Sequence, residues 1–159
     1  MSIESGSVAR VRAALAAAGL VAEIKEFDAS TRTAADAAAA IGCKVAEIAK
    51  SLIFRGTETD RAVLIIASGA NRIDEAKVAA ALGESIGKAD AAFVRDRTGF
   101  AIGGVAPIAH SGPVTVLIDA DLLSFAEIWA AAGAPNAVFR LTPADLLRVT
   151  GGQVVDVKV

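Results

Sequence analysis

Hydrophobic residues recur along the chain with two different periods, and the period separates predicted helices from predicted strands. Residues 5–19 predict a helix, because Val8, Val11 and Leu15 recur at helical spacing and Gly19 would end it. The same spacing predicts further helices at residues 30–41, 44–49, 74–82, 89–97, 124–132 and 142–149. The segment 124–132 surrounds Trp129, and Gly133 follows it as a stop signal.

Capping residues stand at the ends of two of these helices. Ser30 or Thr33 would cap the second helix, and Gly42 would end it. Thr142 would cap the last helix, with Pro143 in its first turn. Both segments therefore have an N-capping residue of the kind that commonly begins a helix.

Apolar, β-branched runs predict the strands. Residues 51–55 and 62–67 are two such runs, and the polar loop between them indicates a hairpin. Further strands are predicted at residues 23–27, 114–119, 137–141 and 154–157. Because strands and helices do not alternate strictly, we expect an α/β (α+β) fold with a mixed sheet of about six or seven strands.

Composition fits one globular domain over residues 1–159. Hydrophobic residues make up 54% and charged residues 21%, which excludes disorder. No apolar run is long enough to span a bilayer, and Arg10 and Arg12 interrupt the N-terminal apolar stretch, unlike a signal peptide. Cys43 is the single cysteine, so we expect a reducing, cytoplasmic location. The net charge of −2 does not indicate a general nucleic-acid binder.

Several kinds of chemistry are excluded by what the chain lacks. One cysteine and one histidine cannot form a typical structural zinc site, and no Gly-x-Ser-x-Gly elbow is present. Residues 83–88 resemble a phosphate loop but are one residue too short, and Ala89 replaces the Ser or Thr that would hold magnesium. We therefore expect no metal and no cofactor.

Lys50 is the first candidate for function. It opens an apolar strand, where a charged group is costly unless it is paired. It is either an exposed lysine at a strand end or a cation at a pocket mouth that meets a phosphate or carboxylate. Ser51 follows directly and would face the other way, which disfavours a Ser-Lys dyad.

The loop from Gly103 to Pro107 is the second candidate, and His110 is the third. Gly103 and Gly104 would let the backbone approach a ligand closely, and successive amides there could bind an anion or a developing oxyanion. The alternative is a tight bend between strands. His110, the single histidine, could be an acid–base group, a hydrogen-bond donor or neither.

These motifs, taken in order, resemble the YbaK family of prolyl-tRNA editing domains. Lysine opens the strand 50–54, the segment 71–74 precedes a helix that contains Lys77, and the Gly-x-x-x-Pro loop is followed by His110. The resemblance runs from about Gly19 to Val157. It implies a twisted mixed sheet, partly curled and surrounded by helices.

The resemblance also implies an activity, which is hydrolysis of the ester that joins a mischarged amino acid to tRNA. The amino acid would be small, of the alanine, cysteine, serine or threonine class, and the tRNA would be tRNA-Pro. The partners would be the tRNA 3′ acceptor end and prolyl-tRNA synthetase, with no membrane and no DNA.

Residue roles carried over from the family are as follows. Lys50 matches its essential lysine. Gly103, Gly104 and Pro107 match its substrate loop, and His110 matches a position that is often histidine. Ser51, Val105 and Ala106 adjoin these positions and are expected to contact substrate. Val105, Ala106 and Ala109 depart from the pattern of many relatives, which bears on the choice of amino acid.

The chain offers no activated side-chain nucleophile, so the expected mechanism uses water. The backbone near Gly103 and a ribose hydroxyl of the substrate would orient the water, while Lys50 would hold the terminal phosphate. A thiol substrate could instead attack its own ester. Two other classes of function stay open: a non-catalytic aminoacyl-binding module that docks on a synthetase, and a hydrolase of small-molecule esters.

Overall fold

The computed structural model describes residues 6–28 and 33–159, and the structural statements below refer to these residues. The described chain contains five α-helices: α1 (Gly6–Ala17), α2 (Ala34–Ile41), α3 (Glu75–Leu82), α4 (Ala91–Thr98) and α5 (Pro143–Thr150). It contains eight strands: β1 (Ile24–Glu26), β2 (Ile48–Gly56), β3 (Ala62–Ser68), β4 (Ile86–Lys88), β5 (Thr115–Asp119), β6 (Ile128–Ala131), β7 (Ala137–Leu141) and β8 (Gln153–Val155). Two 3₁₀ turns lie at Val45–Glu47 and Ala120–Ser124.

All eight strands belong to one mixed sheet, as the sequence predicts, although their number is higher than six or seven. Seven of them follow the order β1-β7-β6-β2-β3-β5-β8, and β4 pairs with β2 outside this path. The predicted hairpin is confirmed as the antiparallel pair of β2 and β3. The pairs β2–β6, β3–β5 and β5–β8 are parallel.

The core lies on both faces of β3, in which every residue is buried. Leu64 and Ile66 pack on one face in the larger apolar cluster, together with Val11 of α1. Val63 and Ile65 pack on the other face with Val78 of α3. A strand buried on both faces explains why residues 62–67 read as a continuous apolar run rather than an alternating one.

The outer edge of β2, opposite β3, is paired only at its two ends. Ile48 and Ala49 pair with β6, while the last three residues of the strand pair with β4. Between them, residues 50–53 have no strand neighbour on that side within the described chain. The sheet therefore has a gap beside the middle of its longest strand.

The predicted helix at residues 124–132 is wrong. The segment begins at the end of a 3₁₀ turn and continues as strand β6. Ile128 and Ala130 are buried while Trp129 and Ala131 are half-buried, which is the alternation of a strand. Pairing with β2 and β7 stabilises this conformation despite the helical preference of alanine, because tertiary context overrides propensity.

Other boundaries differ by a few residues. The helix predicted at 44–49 is only the 3₁₀ turn, since β2 already begins at Ile48. The short strand β4 was not predicted, and the last strand is shifted to Gln153–Val155. Thr33 caps α2 by accepting a hydrogen bond from the Asp36 amide at 3.0 Å. Ser5 and Ser30, the other predicted helix-start residues, lie outside the described residues.

In the described ranges, none of the helices combines the length and apolarity that crossing a membrane requires.

Truncation in the centre of the sheet should cost much stability. Leu64 is 0% exposed on β3, so Leu64→Ala is expected to lower the free energy of unfolding by about 2–5 kcal/mol. Leu123→Ala is the control, because Leu123 is 41% exposed and should cost no more than about 0.5 kcal/mol. Urea denaturation measures both. Equal losses in the two variants would contradict this assignment of the core.

Candidate active site

A cavity of about 590 Å³ occupies the gap beside β2. Its floor is the open edge of the strand. Its walls come from the start of α2, from β6, from the loop of residues 103–107 (the glycine loop) and from the turn before β7. The lining residues are Thr33, Ala34, Ala35, Ala37, Val45, Gly69, Ala89, Val94, Ile102, Gly103, Val105, Ala134, Pro135, residues 48–54, residues 129–131 and residues 137–138. Most of this lining is apolar, and Lys50 is the cation among the described residues that form it.

Backbone polar groups of β2 face the cavity. The Ile48 carbonyl accepts a hydrogen bond from the Gly69 amide at 2.7 Å, on the β3 side of the strand. Because backbone groups alternate in direction along an antiparallel strand, Ser51 and Ile53 direct their N–H and C=O groups to the open side. The buried Ser51 hydroxyl also has no hydrogen-bond partner among the described residues. Buried polar groups normally have partners, so this edge is suited to binding a polar ligand.

Lys50 lines the cavity from the opposite face of β2 to Ser51, as alternation requires. Its Nζ donates a hydrogen bond to the backbone carbonyl of Asn71 at 2.7 Å. Burial lowers the pKa of Lys50, and the nearby Asp119 carboxylate opposes this shift. The ammonium is therefore half-buried and held in place, unlike the freely moving end of a surface lysine.

Asn71 is itself fixed by two carboxylates. Its Nδ2 donates to Asp119 Oδ2 at 2.8 Å and to Asp121 Oδ2 at 2.9 Å. Asp119 is only 1% exposed and also accepts from the Ser68 amide at 3.0 Å. Hydrogen bonds from Lys158 and Asn71 lower the pKa of Asp121. This network connects the end of β5 to the carbonyl that holds Lys50.

Asp119 and Asp121 lie at the end of an apolar run, where the local sequence by itself indicates turn and capping roles. Asp119 does accept from the Asp121 amide at 3.0 Å at the start of the 3₁₀ turn, so that reading describes part of its role. Its contact with Asn71 spans 48 positions and leaves no local signal. The sequence signal that could have prompted a search for a polar partner is the pair of acidic residues at the end of the strand, Asp119 as its last residue and Asp121 just after it.

The glycine loop forms the wall that faces β2. Gly103 has φ +90° and lines the cavity together with Val105. Gly104 lies behind them, and a Cβ on it would be 3.0 Å from the Ala134 Cα. Its amide donates to the Ala101 carbonyl at 3.0 Å, so this amide stabilises the turn. Glycine at 104 thus lets the loop pack directly on the turn before β7.

Ala106, Pro107 and His110 are not among the described residues that line the cavity. Ala106 and Pro107 are buried. His110 Nε2 contacts the Ala106 carbonyl at 2.8 Å, and its ring meets Phe100 edge-on with centroids 6.1 Å apart. Their predicted contacts with substrate stay predictions, while the geometry gives His110 a place behind the loop.

The N-terminal helix supports the same loop from outside. Arg10 of α1 lies 4.3 Å from the centre of the Phe100 ring and donates to the Ala109 carbonyl at 3.0 Å. Ala109 has φ +67°, a conformation that is uncommon for a residue with a side chain. The loop is therefore fixed on both sides of its proline. Within the described residues, no group of three or more His, Cys, Asp or Glu side chains could hold a metal ion.

Comparison with known proteins agrees with this arrangement. The aminoacyl-tRNA editing domain family matches residues 28–149. The uncharacterized protein YwhH of Bacillus subtilis (strain 168) is 36% identical over 124 residues, which are 78% of each chain. The crystal structure of a proposed trans-editing enzyme for prolyl-tRNA synthetase is 45% identical, with a TM-score of 0.92 over 99% of both chains. A structure from work on computational epitope grafting onto scaffold proteins is 44% identical, with a TM-score of 0.91 over 98% of this chain and 99% of that one.

The fold and the cavity define a mixed α/β protein with a candidate ligand site at an open strand edge. The family match spans most of the chain, and the chain belongs to the aminoacyl-tRNA editing domain family. The resemblance seen in the sequence is thereby confirmed at the level of the family and the fold.

The half-buried His110 should make stability depend on pH in a defined range. Burial lowers the pKa of His110 below its ordinary value of 6.5, and this effect exceeds the opposing hydrogen bond to Ala106. The unfolded chain then binds a proton at a pH where the folded chain does not. The free energy of unfolding should therefore fall as the pH is lowered through about 6.5.

Urea denaturation at pH 7.5 and pH 5.5 checks this expectation, with His110→Gln as the comparison. The variant should be less stable than the parent at pH 7.5 and should show a smaller change between the two pH values. Identical pH dependence in both proteins would show that His110 is not the group responsible.

The packing of Gly104 gives a second prediction. Gly104→Ala is expected to lower the free energy of unfolding by about 1–3 kcal/mol, because its Cβ would press on the Ala134 backbone. Gly6→Ala is the matched control, since a Cβ there meets nothing within 4 Å. Thermal and urea denaturation measure both. A Gly104→Ala variant as stable as Gly6→Ala would contradict the close contact.

Proposed function

We propose that this protein is a trans-editing deacylase that hydrolyses the ester between a small mischarged amino acid and tRNA, with tRNA-Pro as the substrate tRNA. The observation that carries the proposal is the cavity at the outer edge of β2 in a chain of the editing family. This cavity combines Lys50, the Gly103 loop and a stretch of β2 backbone that has no strand partner among the described residues. The whole chain, residues 1–159, would act as one editing domain.

The proposed position of the ester lies between the β2 edge and the glycine loop. The carbonyls of Ser51 and Ile53 are suited to accept hydrogen bonds from the α-ammonium group, and their amides are suited to stabilise the oxyanion. The Gly104 amide is engaged with Ala101, so we assign it no such role. Lys50 would hold the phosphate of the terminal nucleotide as a point charge.

Water is the proposed nucleophile, because no activated serine, cysteine or histidine side chain faces the cavity among the described residues. Ser51 lacks a neighbouring base, and Lys50 lies on the other face of the strand. Attack by water on the ester carbon gives a tetrahedral oxyanion. Its collapse breaks the bond between the carbonyl carbon and the ribose 3′ oxygen. This oxygen takes up the proton that the attacking water gives up, so that the free amino acid and the deacylated tRNA are released. Catalysis would then rest on positioning and on backbone hydrogen bonds.

The cavity lining favours small, uncharged side chains. Alanine residues at 34, 35, 37, 49, 89, 130, 131, 134 and 137 contribute to it, with no acidic side chain among the described lining residues. Alanine, serine, threonine and cysteine are the expected amino acids. An apolar pocket discriminates only about 10- to 200-fold between amino acids whose side chains differ by one methylene. Amino acids with much larger side chains would be excluded because they do not fit. The structural relative proposed to act for prolyl-tRNA synthetase supports prolyl-tRNA as the context.

Lys50→Ala should lower the rate of deacylation by roughly 100-fold or more, because the substrate phosphate would no longer be positioned. The measurement is amino-acid release from tRNA-Pro that carries alanine, cysteine, serine, threonine or proline. Lys88→Ala is the control, since Lys88 is exposed on β4 and does not line the cavity. It should retain the parent rate.

The alternatives give distinct outcomes in the same assay. Release that is unchanged in Lys50→Ala would contradict the assigned role of the lysine. Equally fast cleavage of free aminoacyl esters and aminoacyl-tRNA would indicate a hydrolase of small molecules. Saturable binding of aminoacyl-tRNA with no release from any substrate would indicate a binding module.

A further inference from the structure

Trp129, the single tryptophan of the chain, separates the cavity from a second recess. That recess measures about 390 Å³ and is lined by Val21, Ala22, Glu23, Lys25, Trp129 and Arg140. The indole packs beside Ile48 and α2 on one side, and it is half-buried. Any ligand that left the cavity along β6 would therefore meet the indole first.

Two cations lie at the indole. Lys25 Nζ is 5.1 Å from the centre of the Trp129 ring, and Arg140 Cζ is 5.9 Å from it. Both side chains are exposed, and 56% of the Arg140 side chain is open to solvent. Two acidic groups are also near: Glu127 pairs with Arg140 at 2.7 Å, and Glu23 lines the recess. Exposed ion pairs of this type are weak, so Arg140 can exchange Glu127 for a phosphate.

The strand register places these groups on the same sheet face as Lys50. Trp129 pairs with Arg140 and with Ile48, and Lys50 follows Ile48 by two positions. Lys25 pairs with Val138, two positions before Arg140. Cations and an aromatic ring thus extend from β2 to β1 across three strand spacings, or roughly 14 Å. This length exceeds the span of one nucleotide.

Proteins that bind single-stranded nucleic acid combine aromatic side chains, on which the bases stack, with lysine and arginine side chains, which bind the phosphates. The 3′ end of tRNA is single-stranded, and the nucleotides before the terminal adenosine must leave the cavity along its rim. We propose that Trp129, Lys25 and Arg140 bind these penultimate nucleotides, with a base stacked on the indole. The inference rests on the proposed function for its choice of ligand.

The proposed nucleotide site is also compatible with the low net charge of the protein. A protein that holds only the terminal nucleotides needs few phosphate contacts, and Lys50, Lys25 and Arg140 supply three at one face. The salt dependence of binding should therefore be shallow compared with that of a protein that covers a duplex.

The test is a titration of the full chain with unacylated single-stranded CCA RNA, in which the fluorescence of Trp129 is the measured signal. Saturable quenching is expected in the parent protein. Lys25→Glu and Arg140→Glu should each weaken binding by about 5- to 10-fold at low salt. Arg95→Glu is the matched control, because Arg95 is exposed on α4 and lines neither the cavity nor the recess. It should bind as the parent does.

A second variant tests the indole directly. Trp129→Leu should weaken binding by about 5- to 100-fold. Because this variant lacks the indole, its binding is measured by the fluorescence anisotropy of labelled CCA RNA. Should this variant fail to fold, the two exposed charge reversals still decide the question. Absence of quenching in the parent, or equal affinity in Lys25→Glu, Arg140→Glu and Arg95→Glu, would overturn the proposal.

The result can be separated from that of the deacylation assay. Quenching that depends on Lys25 and Arg140, in a protein that releases no amino acid, would support the nucleotide site and remove the proposed catalysis. Deacylation that depends on Lys50 but is unaffected by Lys25→Glu and Arg140→Glu, without quenching by CCA RNA, would remove only the nucleotide site.

Discussion

The arrangement of the molecule depends on how the outer edge of β2 is paired. The strand is nine residues long, and its ends are held by β6 and β4, while residues 50–53 have no strand partner on that side in the part of the chain that the structure describes. A continuous neighbour would fill the space and satisfy the backbone of Ser51 and Ile53. The incomplete pairing instead creates an apolar cavity that contains backbone donors and acceptors in fixed positions. Exposed strand edges are a hazard for soluble proteins, and here the surrounding loop and helix cover it.

The elements around the cavity hold its groups rigidly. On one face of the sheet, Lys50 is bound to the Asn71 carbonyl, which buried Asp119 keeps in place. On the other, the glycine loop packs on Ala134 and is supported by His110. A site whose groups are already ordered does not need to reorganise during the reaction, which is where electrostatic stabilisation is most effective. The geometry therefore fits catalysis by positioning, without an activated side chain.

The sequence predicted those features that depend on neighbouring residues. The hairpin of β2 and β3, the loop at Gly103 and the opposite directions of Lys50 and Ser51 all follow from local pattern. Strand β6 was missed, because the alanines around Trp129 have helical preference and only pairing with β2 and β7 shows otherwise.

The gap beside β2 could not be predicted for the same physical reason. The gap depends on which strands pair with β2. One of them is β6, and the first pair in their register, Ile48 and Trp129, joins residues 81 positions apart (129 − 48 = 81). The contact of Asn71 with Asp119 joins positions 48 apart and is equally invisible in a local pattern. Lys50 could be found as a candidate, whereas the groups that hold it could not.

The most direct test of the central claim is a crystal structure of the protein with a non-hydrolysable analogue, alanine joined by an amide to 3′-amino-3′-deoxyadenosine. The alanyl group is expected in the cavity, with its ammonium and carbonyl groups within hydrogen-bond distance of the Ser51 and Ile53 backbone. The adenosine should lie toward Lys50 and Trp129. An analogue bound elsewhere, or bound in the cavity with no contact to this strand edge, would contradict it.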